Sequence, residues 1–309
     1  MTTAPIERRA GYPAGLAQAT GRNARLRALL GGDALVMAPG CFDCLTARLV
    51  DRAGFGAAYV TGSGVSMSAL GAPDMGVISY AEVMERARRI ADSVALPLLC
   101  DVDTGYGGPM NVIRTVREME RAGISAVQIE DQVWPKKCGH EPGRRIADLA
   151  EAVGRIEAAV DARDDADFVV IARTDARTSL GLAAALDRAE AYREAGADVV
   201  FVESPESREE MRAINARIAA PTLANMVEGG RTPNLPAAEL AALGYRVAIY
   251  PNSLTRLFGH QGAALLASLR ETGGTAAMRD RMLDHEGLWS LFDYDAWTAL
   301  EARFTGRAP

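Results

Sequence analysis

Asp101 and Asp103 stand two residues apart in Asp101-Val-Asp103-Thr-Gly-Tyr-Gly-Gly108. On a strand that spacing turns both side chains to one face. With Glu130 at the end of a neighbouring strand, three carboxylates would share one place, and their repulsion calls for a cation. Few carboxylates with room for waters and substrate oxygens suit Mg²⁺, with Mn²⁺ as a substitute. The plainer alternative pairs these acids with Arg173 and lysines in a solvated rim. A second cluster lies in Lys136-Lys137-Cys138-Gly139-His140-Glu141-Pro-Gly143. A thiol flanked by cations has its thiolate favoured, so Cys138 could exchange a proton near neutral pH. A basic surface loop with an incidental cysteine fits the same spacing. The stretch from Glu130 to Gly143 contains two prolines and two glycines, which makes it a loop long enough to act as a lid.

Such residues need a scaffold that brings distant segments to one place. Four segments have a charged or Ala-rich stretch that ends at a glycine and passes at once into an apolar run: Gly54, Gly123, Gly196 and Gly244. A helix stopped by a glycine and followed by a buried strand is the αβ joint of a parallel sheet. The pattern predicts eight strands, near residues 34–37, 57–61, 98–102, 126–130, 168–173, 199–202, 222–224 and 247–250. In the clearest helix between them, Asn111 is placed to cap, Val112, Val116 and Met119 form one apolar face, and Gly123 stops it. Eight strands alternating with helices in about 220 residues fit an α/β chain folded as a (β/α)₈ TIM barrel, whose active site forms at the C-terminal strand ends. Those ends carry Tyr59 to Gly64, Asp101 to Gly108, Glu130, Arg173 to Asp175, Glu203, Asn225 and Pro251 to Ser253. The reading divides the chain into a mobile arm (1–25), the barrel (26–278) and a helical tail (279–309). The tail's apolar stripe, Leu288, Leu291, Trp297, Leu300 and Phe304, must cover the barrel or dock on another subunit.

The composition narrows the function classes. Lys plus Arg number 34 against 40 Asp plus Glu, and no basic cluster is interleaved with aromatics, so nucleic acid is not an expected partner. The uncharged run 53–73 is long enough to span a bilayer but holds five glycines and a proline. It reads as strand, turn and loop, and no membrane partner is expected. Residues 1–10 lack the apolar stretch of an export signal, and four cysteines make no disulfide framework. A reducing, cytoplasmic location follows as the expectation. Cys41-Phe-Asp-Cys44 has a redox spacing but reads as two semi-buried thiols beside a strand. Gly62-x-Gly64 lacks the third glycine of a dinucleotide fingerprint, and no P-loop exists.

Taken together, Asp101-x-Asp-Thr-Gly-Tyr-Gly107, Lys136-Lys-Cys-Gly-His140, Ala172-Arg-Thr-Asp-Ala176 and Ala224-Asn-Met-Val-Glu-Gly-Gly230 resemble the isocitrate lyase and phosphoenolpyruvate mutase superfamily. The resemblance covers about residues 28 to 305. It implies a barrel with one Mg²⁺, in a tetramer whose subunits exchange C-terminal helices. It implies Cys138 as the catalytic acid beside Lys136 and His140. It also implies Asp101, Asp103 and Glu130 as metal positions, with Asp74 acting through water. The substrate-binding positions become Tyr59, Thr61, Gly62, Ser63, Gly139, Arg173, Glu203 and Asn225. The chain is short for an isocitrate lyase, which points to the compact group of 2-methylisocitrate and 2,3-dimethylmalate lyases. The Thr61-Gly-Ser63 and Asn225 to Gly230 segments are similar to those of dimethylmalate lyase and the carboxyphosphonoenolpyruvate mutase subgroup.

The activity implied is retro-aldol cleavage of a 2-hydroxy di- or tricarboxylate to a 2-oxo acid and a carboxylate, with Tyr59 or a metal-bound hydroxide as candidate base. A phosphonomutase and an oxaloacetate hydrolase or decarboxylase are rival readings of the same metal barrel. A non-catalytic dicarboxylate-binding barrel is a rival from another class. Arg256 lies just past the eighth strand, where its guanidinium could reach a carboxylate distant from the metal. A helix-surface arginine is the alternative.

Overall fold

The computed structural model describes residues 10–16, 19–139, 141 and 143–306. Eight strands form in the predicted order: β1 Val36–Cys41, β2 Ala58–Val60, β3 Leu98–Asp101, β4 Ala126–Glu130, β5 Val169–Thr174, β6 Val199–Val202, β7 Leu223–Asn225 and β8 Val247–Tyr250. All pair in parallel in the order β6-β5-β4-β3-β2-β1-β8-β7. A bridge from Val200 to Thr222 brings β6 against the β7 side and nearly closes the barrel. Gly54, Gly123, Gly196 and Gly244 each take a positive φ at their αβ joints, where a side chain would be strained.

Alternation along the strands decides what reaches the active end. Tyr59, Leu99, Ile171, Phe201, Leu223 and Ile249 belong to one buried cluster that fills the barrel. Leu98, Cys100, Val127, Val170 and Ala172 belong to another, between the strands and the outer helices. Two residues beyond an inward position the chain faces inward again. Leu99 is thus followed by Asp101, Ile171 by Arg173, Phe201 by Glu203 and Leu223 by Asn225, at the C-terminal mouth.

Local departures have physical reasons. Residues 62–70, read as turn and loop, form the helix Gly62–Leu70 because Thr61 caps it, its hydroxyl accepting from the Gly64 N–H. The helix Pro109–Arg121 starts at its proline, so Asn111 falls inside it rather than at its cap, while Val112, Val116 and Met119 are buried as predicted. The first helix, Arg22–Leu30, begins four residues inside the stretch read as an arm, of which residues 1–9, 17 and 18 lie outside the described residues. Cys41 is buried at the end of β1, and Cys44 is half-buried.

Past β8 the chain forms Ser253–Thr272, Ala276–Arg281, His285–Ser290 and Tyr294–Thr305. Leu291 is buried, and the Arg48 guanidinium donates to its carbonyl and pairs with Asp293. Much of the remaining apolar surface, Leu257, Phe258, Leu266, Trp289, Trp297 and Phe304 among it, stays exposed in the single chain.

Candidate active site

At the mouth, one cavity of about 110 Å³ is lined by Tyr59, Thr61, Ser63, Asp74, Asp101, Cys138, Gly139, Arg173, Glu203, Asn225 and Arg256. It therefore gathers residues from eight separate segments named by sequence. Gly62 lies against Asp101, whose Oδ2 a Cβ there would meet at 3.1 Å. Glu141 and Asn252 also line the cavity and had not been singled out for the site. Asp103, Glu130 and Lys136 are buried and stand one contact back from it, Asp103 through Asp101, Glu130 through Arg173 and Lys136 through Asp74. His140 lies outside the described residues.

Asp101 and Asp103 do not share a strand face. β3 ends at Asp101, and Asp103 has a φ of +50°, which breaks the alternation. The Asp103 N–H instead donates to Asp101 Oδ1 at 3.1 Å, and Asp103 Oδ1 lies 2.6 Å from Lys136 Nζ. Lys136 also pairs with Asp74. Burial alone would lower the Lys136 pKa, but Asp103 and Asp74 raise it well above the ordinary lysine value. Its charge is committed to those carboxylates, so it does not supply the positive neighbour that the spacing offered to Cys138. Burial lifts the Asp103 carboxyl to about 6 against the pull of Lys136, and Asp101 and Asp74 add to the rise.

Arg173 is the second buried cation. Burial would lower its pKa, but Asp175, Glu130 and Glu203 hold it well above the ordinary value. Its Nη2 lies 2.9 Å from Asp175 Oδ1 and 3.5 Å from Glu203 Oε2, and its Nη1 lies 3.4 Å from Glu130 Oε2. Asn225 donates to Glu203 Oε2 at 2.9 Å. Burial pushes the Tyr59 phenol well above its ordinary value, and its hydroxyl donates to Gln128 Oε1 at 3.0 Å. A phenol so held stays protonated near neutral pH, which argues against its use as the base.

Among the described residues, no three Asp, Glu, His or Cys side chains are gathered closely enough to hold an ion. The donors still fit a hard cation by chemistry. They are all carboxylates, and Glu130 Oε1 is buried without a hydrogen-bond partner among the described residues. Burial drives the Glu130 carboxyl well above its ordinary value despite Arg173, and a divalent ion beside it would reverse that.

Gly139 explains how the loop seats. A Cβ there would come 2.3 Å from Arg173 Nη2 and 2.8 Å from Glu203 Oε2, so only glycine lets the backbone lie against both. Asp175 was noted at its strand end but not assigned to the site. It takes Arg144 Nη1 at 2.6 Å as well as Arg173 on the same oxygen, and these two cations lower its pKa although burial opposes them. The charged triplet Arg173-Thr-Asp175 on a buried strand end was the available signal.

A family model described as phosphoenolpyruvate phosphomutase matches residues 26–270. The chain is 47% identical to a 2,3-dimethylmalate lyase of Eubacterium barkeri, over 92% of this chain and 99% of that protein. It is 41% identical to a probable 2-methylisocitrate lyase 2 of Corynebacterium glutamicum, over 91% and 92%. Among solved structures, an oxaloacetate acetylhydrolase in complex with 3,3-difluorooxalacetate superposes with a TM-score of 0.89 at 34% identity, covering 96% of this chain and 100% of the other. A crystal structure of 2,3-dimethylmalate lyase gives 0.87 at 37%, over 91% and 95%. A phosphonopyruvate hydrolase complex with oxalate and Mg²⁺ gives 0.83 at 32%, over 92% and 99%.

Proposed function

The chain belongs to the phosphoenolpyruvate phosphomutase family, and from that membership we propose that it is a carbon–carbon lyase acting on a 2-hydroxy dicarboxylate of the 2,3-dimethylmalate type. The observation that carries this reading is the single cavity lined by Asp101, Cys138, Gly139, Arg173, Glu203 and Asn225. Mg²⁺, or Mn²⁺ in its stead, would be held by Asp101, Asp103 and Glu130, with Asp74 through water, and would supply Lewis acidity toward the substrate's hydroxyl and carboxylate.

The chain's own groups do the rest. Arg173 binds a substrate carboxylate and balances charge that builds on the departing fragment. Glu203 and Asn225, bonded to each other, fix the orientation of the polar wall. Tyr59, whose hydroxyl donates to Gln128, lines the same cavity with Thr61 and Ser63, and Gly62 lies against Asp101. The substrate's hydroxyl proton passes to a carboxylate of the cavity wall, the carbon–carbon bond breaks to a 2-oxo acid, and the electron pair goes to the other fragment's carbon. Cys138 Sγ gives that carbon its proton. The loop excludes water while this happens.

A second reading, cleavage of the tricarboxylate 2-methylisocitrate, is favoured by Arg256 on the cavity wall. The exposed apolar face of residues 253–305 supports assembly into an oligomer, the tetramer of the superfamily, with C-terminal helices exchanged. Among the described residues no helix is long and apolar enough to cross a membrane, and a cytoplasmic location is part of the proposal. The test is one NMR screen of substituted malates, 2-methylisocitrate, oxaloacetate and phosphonopyruvate with Mg²⁺. Cleavage of a malate to a 2-oxo acid plus a carboxylate is the expected result. Turnover of phosphonopyruvate or oxaloacetate alone would replace the lyase with a mutase or hydrolase.

A further inference from the structure

Ser204 follows Glu203 at the end of β6 and is fully buried, yet its φ is +60°. A serine rarely adopts that backbone, and Pro205 next to it restricts it further. Such a conformation persists only where the surroundings over-determine it. The surroundings here are the active site itself. The Ser204 N–H donates to Glu203 Oε1 at 2.6 Å, and Ser204 Oγ lies 3.2 Å from the same oxygen. The hydroxyl also donates to the Gly139 carbonyl at 3.1 Å. Glu203 uses its other oxygen for Asn225 and Arg173. Gly139 immediately follows Cys138 and rests against Arg173 and Glu203.

We propose that Ser204 is a positioning residue that joins the β6 end to the cysteine loop: its strained backbone aims one amide at Glu203 while its hydroxyl holds the Gly139 peptide, and so sets where Cys138 presents its thiol. The inference rests on the lyase reading for its consequence in turnover, but not for its geometry. Two substitutions separate hydroxyl from backbone. Ser204→Gly relieves the positive φ and removes the hydroxyl, whereas Ser204→Ala removes the hydroxyl and keeps the strain.

The measurement is the rate of Cys138 alkylation by iodoacetamide, followed by peptide mass spectrometry on the full chain, with and without Mg²⁺ and oxalate. Half-buried Cys44, which is not part of the cavity lining and whose thiol donates to the Arg89 carbonyl, is the internal reference. In both variants Cys138 should react about tenfold faster, the weight of one ordinary hydrogen bond, with Cys44 unchanged. Turnover should fall at least about tenfold as the thiol loses its alignment. Gly139→Ala should raise Cys138 reactivity in the same way, because its Cβ unseats the same peptide from the other side. Wild-type Cys138 reactivity in Ser204→Gly would overturn the proposal, as would equal acceleration of Cys138 and Cys44. If instead the wild-type protein turns over none of the candidate acids, the lyase reading falls, and the alkylation rates still decide the role of Ser204.

Discussion

The two ends of the barrel both bury charge, and they treat it in opposite ways. At the N-terminal ends of the strands, Arg22 is buried and donates to the carbonyls of Ala91, Val94, Ala95 and Gly123. Asp198 there is held by Arg27 at 2.7 Å, Arg163 at 2.8 Å and the Val170 N–H at 2.8 Å. Charge on that face is matched and hydrogen-bonded. At the mouth, Asp74, Asp101, Asp103, Glu130, Asp175 and Glu203 face Lys136, Arg144 and Arg173. The carboxylates outnumber the cations, and burial pushes Asp103 and Glu130 upward. The contrast teaches where stability ends and function begins: a saturated network holds strands together, and an unbalanced one is ready for a cation and an anionic substrate.

The strongest way to break this comparison is to remove the cation from the mouth. Excess EDTA, or Asp101→Ala, should lower turnover at least about a thousandfold, the scale of a metal's transition-state stabilisation. The variant's melting temperature should hold, because relieving crowded carboxylates costs the barrel little. Full activity after dialysis against EDTA would show that Lys136 and Arg173 suffice. Next in size is Cys138→Ser, with a loss of at least about a hundredfold in turnover and little change in stability. Cys100→Ser should leave turnover intact, since Cys100 packs in the outer cluster behind the strand. Undiminished turnover in Cys138→Ser would move the proton donor elsewhere.

The opposite face should answer in the opposite currency. Arg22→Ala leaves several buried carbonyls without their donor and should cost about 2 to 4 kcal/mol of stability, read by urea unfolding. Turnover per folded molecule should be unchanged. A fall in turnover without a change in unfolding would erase the distinction between the two ends.

Much of this was legible in the sequence because alternation and glycine joints are local signals. Asp101, Arg173, Glu203 and Asn225 reach the cavity because each follows an inward apolar residue by two, which the strand pattern already contained. Asp103 broke the rule because its backbone turns left-handed two residues past the end of the strand, and no spacing argument sees a dihedral angle. Lys136 was read as a neighbour of Cys138, but the carboxylates below drew its side chain inward, a contact between segments 33 and 62 residues apart. Ser204 carried no signal beyond its place after Glu203, since its role depends on a loop that folds back from another strand.

Arg256 offers the finest test of how far the mouth's positive charge extends. It lines the cavity and is at the same time an arginine on the surface of the helix Ser253–Thr272, 54% exposed, with its Nε 3.7 Å from Glu228 Oε2. A cation already faced by a carboxylate and wetted by solvent has less to offer a dicarboxylate that Arg173 can hold. A tricarboxylate has one more carboxylate, which could compete with Glu228 for the guanidinium. Arg256→Ala should then raise KM for 2-methylisocitrate about tenfold, as loss of one charge-assisted contact would. The KM for 2,3-dimethylmalate should change less than about twofold. Equal effects on both substrates would mean that Arg256 reads a carboxylate they share. No effect on either would place the boundary of the functional charge at Arg173 and leave the substituted malates as the preferred substrates.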